Sequence, residues 1–145
     1  MGIIEKNSVL VVDDERSNLE VLISILSPEY TVNVTKRGAA ALEMANKYLP
    51  DLILLDIIMP DMDGFEVLAA LKASGRTRNI PVIVITGLDS VENEEKGRSL
   101  GAVDFIHKPF SSQIVKARVR NQMKIVNQTC EPVELQQNKE QVLEE

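Results

Sequence analysis

Five side chains carry the chemistry open to this sequence. Asp13 and Asp14 close the apolar run Val-Leu-Val-Val at 9–12, Asp56 closes Leu-Ile-Leu-Leu at 52–55, Thr86 closes Val-Ile-Val-Ile at 82–85, and Lys108 follows Phe-Ile-His at 105–107. Taken singly, each has an ordinary reading: a helix cap or turn for the aspartates, a strand end for Thr86, plain surface for Lys108. Their recurrence after successive apolar runs is the specific signal. Unit charges about 4 Å apart repel by ~1 kcal/mol in bulk water and by more near a protein interior, so three gathered carboxylates need a cation. An all-oxygen donor set favours Mg²⁺, which keeps several waters and takes one or two carboxylates plus a phosphate oxygen. A lysine and a threonine hydroxyl can hold the remaining phosphate oxygens. An Asp carboxylate can attack phosphorus to give an aspartyl phosphate, and Asp56 is the best placed to do so.

That chemistry requires elements that bring the runs side by side. Residues 8–12, 52–55 and 80–85 read as strands buried on both faces. Residues 30–34 alternate polar and apolar, and 103–106 are broken by Asp104, so both read as edge strands. Helical periodicity falls at 15–27, 38–48, from Phe65 to near Gly75, at 90–100 and from Ser111 onward, with Pro28 and Pro50 as stops. The 90–100 helix is polar nearly all round. Its expected support is Glu92–Lys96 and Glu94–Arg98 pairing, so it should be the least firmly packed. Strands alternating with helices make an α/β fold with a five-stranded parallel sheet, and the edge assignments fit the flavodoxin-like (βα)5 doubly wound order 2-1-3-4-5. That order is already known for doubly wound sheets, so the edges are consistent with it and do not derive it independently. In such a sheet the residues just past the strands gather on one rim.

Composition narrows the function classes. A 145-residue chain with 44% hydrophobic residues fits one domain with a short appendage. Its net charge of −6 argues against direct nucleic-acid binding, and the apolar runs are far short of the ~20 residues that span a bilayer. With charges at Glu5 and Lys6 and no signal-like start, a soluble, cytoplasmic protein is expected. Cys130 stands alone and reads as an incidental thiol.

The motifs Val-Asp-Asp at 12–14, Leu-Asp-Ile-Ile-Met-Pro at 55–60 with Gly64, Thr86, and Asp-Phe-Ile-His-Lys-Pro at 104–109 resemble the receiver domain of a two-component response regulator over residues 8–123. The resemblance implies that Asp56 accepts a phosphoryl group from a sensor histidine kinase or phosphotransfer protein. It implies Mg²⁺ held by Asp14, Asp56 and the backbone carbonyl of Ile58, with Asp13 acting through water. Lys108 would contact the phosphoryl group, with a cis Lys108-Pro109 bond, while Thr86 and Phe105 would form the switch. Such a domain catalyses its own phosphorylation and dephosphorylation, as a signalling switch rather than a turnover enzyme. Two departures stand out: Gly87 where the family commonly has Ala, and Phe105 in place of the more frequent Tyr.

Rival chemistries lack residues they would need. No Gly-x-Gly-x-x-Gly follows the first strand, which counts against a dinucleotide enzyme. A calcium loop around Asp61-x-Asp63-Gly64 would place Met59 and Ala70 at ligand positions. An independent phosphohydrolase needs a general acid or base beside Asp56, and His107, the only histidine, reads as a solvent-facing strand-end residue. The remaining alternative is a degenerate receiver that acts, unphosphorylated, as a protein-interaction module, although the acidic pair, Thr and Lys are all present. Residues 1–126 are expected to form the receiver and 127–145 a linker or helical tail, interrupted at Pro132 and helical again over 135–143, leading to an output module. An acidic cluster at Glu92, Glu94 and Glu95 and a basic one at Lys116, Arg118, Arg120 and Lys124 raise a homodimer through the fourth helix, fifth strand and fifth helix.

Overall fold

A computed structural model describes residues 6–59, 62–87 and 91–136, with 129–136 as helix backbone only. Five strands, β1 (Ser8–Val12), β2 (Thr31–Thr35), β3 (Leu52–Asp56), β4 (Val82–Thr86) and β5 (Asp104–His107), alternate with five helices. These are α1 (Arg16–Leu26), α2 (Gly38–Tyr48), α3 (Gly64–Ala73), α4 (Val91–Ser99) and α5 (Ser112–Gln136). All strand pairings are parallel, in the order β2-β1-β3-β4-β5.

The apolar runs explain that order. Side chains alternate across a strand, so a continuous run must be covered on both faces. Leu10, Val12, Ile53, Leu55, Val82, Val84 and Phe105 pack with Ala41, Ala45, Phe65, Leu68 and Leu71 on the α2/α3 side. Val9, Val11, Leu52, Leu54, Ile83, Ile85 and Ile106 pack with Leu19, Leu22, Leu26, Val115, Val119 and Met123 on the α1/α5 side. Burying each Val, Leu or Ile contributes ~1.5–3 kcal/mol, so the fully apolar strands take the centre and the interrupted ones the edges. At the β5 edge, Asp104 stays half-buried and accepts from Arg118 Nη1 at 3.3 Å.

Register decides where the functional side chains emerge. Val12 pairs with Leu55, Asp56 with Ile85, and Thr86 with His107, so the strands end level and their following residues share one rim.

Two expectations are corrected. α4 is not supported by Glu92–Lys96 and Glu94–Arg98 pairs. Glu94 Oε2 lies 2.7 Å from His107 Nε2, while Lys96 Nζ sits 4.6 Å from the Phe65 ring centroid and Arg98 Cζ 5.1 Å from that of Phe105. The rings beneath α4 attract the cations, and the buried residue of this helix is Gly97, whose added Cβ would stand 3.0 Å from Phe105 Cε1. α5 also runs to Gln136 without a break at Pro132. Proline removes one backbone donor and crowds one carbonyl at a cost of ~3 kcal/mol, which the flanking hydrogen bonds of a long helix can carry. The predicted helical segment at 135–143 lies outside the described residues beyond 136, as do the turn at Pro60, the Asp61 ligand position, the helix start at Ser90, and Met1 to Glu5; the Cys130 side chain is likewise outside them.

The start of α3 approaches the end of β3 closely through its backbone. Asp63 caps α3 by accepting from Phe65 N at 2.8 Å, and Glu66 Oε1 accepts from Asp63 N at 3.1 Å. Gly64 N donates to Ile57 O at 2.9 Å, and a Cβ at Gly64 would lie 2.3 Å from Ile57 Cα and 2.5 Å from Asp56 O. Backbone cannot yield as a flexible side chain can. Gly64→Ala is therefore expected to lower the unfolding free energy by ~3 kcal/mol, the upper part of the usual overpacking range, in urea titrations. A wild-type midpoint in that variant would show that the approach is not this close.

Candidate functional site

The rim brings together Asp13, Asp14, Asp56 and Lys108. Asp56, the last residue of β3, is 2% exposed, Asp13 is fully buried and Asp14 is half-buried. One carboxylate oxygen from each lies within 4.8 Å of the others. Lys108 Nζ faces them from the β5 side, 3.5 Å from Asp56 Oδ2 and 3.8 Å from Asp13 Oδ2. Its own backbone N–H donates to Thr86 O at 2.9 Å, tying the end of β5 to that of β4. The Lys108-Pro109 bond is cis, as expected.

Ile58 and Thr86 flank the cluster, whereas Phe105 lies within β5 in the apolar core. Ile58 donates its backbone N–H to Asp56 Oδ1 at 3.4 Å, while its side chain is 70% exposed at the mouth. Thr86 is buried at the end of β4, and Phe105 is buried with its ring turned inward against Gly97. His107 is exposed and bound to Glu94, as a strand-end residue rather than a member of the carboxylate cluster.

Two residues not singled out in the sequence belong to the site. α1 begins after Glu15, which makes no side-chain capping bond, and Asp13 Oδ1 instead accepts from Glu15 N at 3.0 Å. A local turn role for Asp13 is thus real alongside its place in the cluster. Asn18 Nδ2 reaches Asp13 Oδ2 at 3.2 Å and Glu15 Oε1 at 2.9 Å. The three-residue spacing from the helix start to Asn18 was the only available sequence signal, and it resembles an ordinary surface pair. Of the basic cluster, Arg118 pairs with Asp104 at 3.3 Å and Arg120 with Glu29 at 2.9 Å.

The cluster is electrostatically strained. Burial, with the Asp13 charge adding to it, pushes the Asp56 carboxyl up from 3.8 to about 6 against the pull of Lys108 and the Ile58 N–H. The surplus of negative charge and the all-oxygen donor set fit a hard divalent cation. A raised carboxyl pKa means that the folded state holds its proton more tightly than the unfolded chain. The contribution of Asp56 to stability therefore falls as pH rises through the window from 3.8 to about 6 and is most adverse above it. Asp56→Asn should consequently stabilise the metal-free protein at pH 7 by on the order of 2–3 kcal/mol, following the ~1.4 kcal/mol per pKa unit. The gain should shrink to nothing near pH 4 and narrow with saturating Mg²⁺. Thermal melts across pH measure it, and a gain that does not vary with pH would contradict the charge origin.

Comparison with known proteins agrees with this geometry. The sequence profile described as the response regulator receiver domain matches residues 9–120. The chain is 38% identical over 131 residues to the Vibrio cholerae serotype O1 protein named "Probable cyclic di-GMP phosphodiesterase", covering 90% of this chain and 29% of that protein. It is 46% identical over 114 residues to the response regulator PleD of Caulobacter vibrioides, covering 78% of this chain and 25% of PleD. This chain thus spans less than a third of either relative. Among solved structures, the Vibrio cholerae chemotaxis protein CheY4 superposes with a TM-score of 0.76 at 29% identity, over 80% of this chain and 98% of CheY4. The level strand ends, the acidic trio with its facing lysine, and the matched profile lead to one conclusion: this chain belongs to the response regulator receiver domain family.

Proposed function

We propose that this chain is a phosphorylation-controlled switch in which Asp56 takes a phosphoryl group from the phosphohistidine of a sensor kinase or phosphotransfer protein. The observation that carries the reading is the trio Asp13, Asp14 and Asp56 within 4.8 Å, with Lys108 Nζ 3.5 Å from Asp56. Asp56 Oδ attacks phosphorus, an O–P bond forms, the P–N bond to imidazole breaks, and the imidazole nitrogen keeps the electron pair. Asp14, Asp56 and the Ile58 carbonyl would hold Mg²⁺ directly and Asp13 through water. The cation, when bound, neutralises charge on the phosphoryl oxygens and orients them. Lys108 supplies a second positive charge from the opposite side, at the position where it already approaches Asp56. Loss of the Asp56 negative charge below pH about 6 would remove the nucleophile in the metal-free protein.

Signalling would follow from a shift between two packings. A phosphoryl group on Asp56 favours the state in which the Thr86 hydroxyl binds its oxygens, and β4, β5 and α4 adjust with Phe105. α4 suits this role because its buried residue is Gly97 and its contacts with the body include ring–cation contacts and the Glu94–His107 pair. The response would reach an output through the α4/β5/α5 face, as a homodimer or by way of residues 127–145 as a linker from a 1–126 receiver. The cyclic di-GMP phosphodiesterase relative supports a cyclic-dinucleotide output on a longer chain. A cytoplasmic setting accords with a kinase donor, and no helix among the described residues is long and apolar enough to cross a membrane.

Incubation with acetyl phosphate and Mg²⁺ followed by intact-mass measurement is expected to add one phosphoryl group to the wild type and none to Asp56→Asn. No addition to the wild type would favour an unphosphorylated interaction module. Thr86→Ala should accept phosphate to a similar extent yet lose the phosphorylation-induced chemical-shift changes in α4 and β5; a full response in that variant would remove the proposed coupling. Sedimentation velocity with and without a phosphoryl mimic is expected to show dimerisation only in its presence, and a monomer in both states would exclude the homodimer.

A further inference from the structure

We infer that Asn18 is a positioning residue for the cation site, its side-chain amide holding the buried Asp13 carboxylate in place for the cation instead of letting it close on Lys108. The inference rests on the metal reading above and extends it to a residue outside the motifs. Asp13 is fully buried, so each of its oxygens needs a donor. Oδ1 accepts from Glu15 N at 3.0 Å and Asn18 Nδ2 at 3.4 Å, and Oδ2 accepts from Asn18 Nδ2 at 3.2 Å. The charged donor in reach, Lys108 Nζ, stays at 3.8 Å from Oδ2 and nearer to Asp56.

That arrangement separates two functions. A neutral amide satisfies a carboxylate without adding a positive charge that an arriving cation would have to displace, and it leaves the ammonium group directed at Asp56. The same Nδ2 lies 2.9 Å from Glu15 Oε1, so it also holds a second carboxylate beside the first, despite their mutual repulsion. Without the amide, the buried Asp13 carboxylate keeps one backbone N–H, and its strongest remaining attraction is to Lys108. An Asp13–Lys108 pair would compete with the cation for Asp13 and draw the lysine from the position where phosphate would need it.

Groups that orient metal-binding side chains commonly change affinity about 10- to 100-fold when lost, and a carboxylate acting through water belongs at the lower end. Asn18→Ala and the closer-shaped Asn18→Leu are therefore expected to weaken Mg²⁺ binding about tenfold, read from the rise of the melting temperature with Mg²⁺ concentration and from calorimetric titration. Each variant's metal-free melt serves as its own baseline, which separates loss of folding from loss of binding. In an Asp13→Asn background, replacing Asn18 should cause no further loss of Mg²⁺ affinity. Asn18→Leu binding Mg²⁺ like the wild type, or losing as much affinity in the Asp13→Asn background as in the wild type, would overturn the inference while leaving the metal reading intact. Wild-type protein that binds no Mg²⁺ would overturn both.

Discussion

Charge that is buried and crowded at the end of a parallel sheet is the constraint that the functional rim of this molecule answers. Asp13 and Asp56 are nearly without solvent, where charge is costly, and they are adjacent because β1 and β3 are adjacent. The fold answers with partial neutralisation: Lys108 just past β5, the Ile58 N–H just past β3, the Glu15 N–H at the start of α1 and the Asn18 amide within it. These donors are enough to keep the cluster folded and too few to leave Asp56 an ordinary acid. Burial, with the Asp13 charge adding to it, still holds its carboxyl above the ordinary carboxylate range.

The scaffold tolerates that strain because the apolar strands beneath it are covered on both faces, while α4 is attached differently. α4 presents no apolar stripe to the sheet. It approaches Phe105 at Gly97 and straddles two aromatic rings with Lys96 and Arg98, contacts worth ~0.5–1 kcal/mol each at exposed sites. It also reaches β5 through the His107–Glu94 contact. An element held by small, separable interactions can move without unfolding the core, whereas α2, α3, α1 and α5 bury Leu, Val and Ala side chains that fix them. The contrast separates a rigid base from an adjustable face within one domain.

How much of this was readable in one dimension depends on the length scale of each interaction. Unbroken apolar runs at 52–55 and 82–85 demand cover on both faces, and alternation at 30–34 does not, so periodicity separated central strands from edges in agreement with the sheet order 2-1-3-4-5. The placement of Asp13, Asp14, Asp56, Thr86 and Lys108 was likewise legible, because each ends or closely follows a strand whose register brings that end to the rim. Side-chain pairing was not. Four-residue spacing put Glu94 with Arg98, but His107 arrives from a neighbouring strand and takes the carboxylate, and the cation turns to a ring. The continuity of α5 past Pro132 also escaped local rules.

The sequence by itself determined the strands, their central or edge standing, and the identity of the charged groups, since backbone periodicity and the cost of exposing apolar runs act locally. Tertiary structure alone decided which donors meet which carboxylates, that Asn18 joins the cluster, and that Gly97 lets α4 settle on Phe105. Those outcomes depend on distances of a few ångströms set by how whole elements pack, which no local pattern encodes.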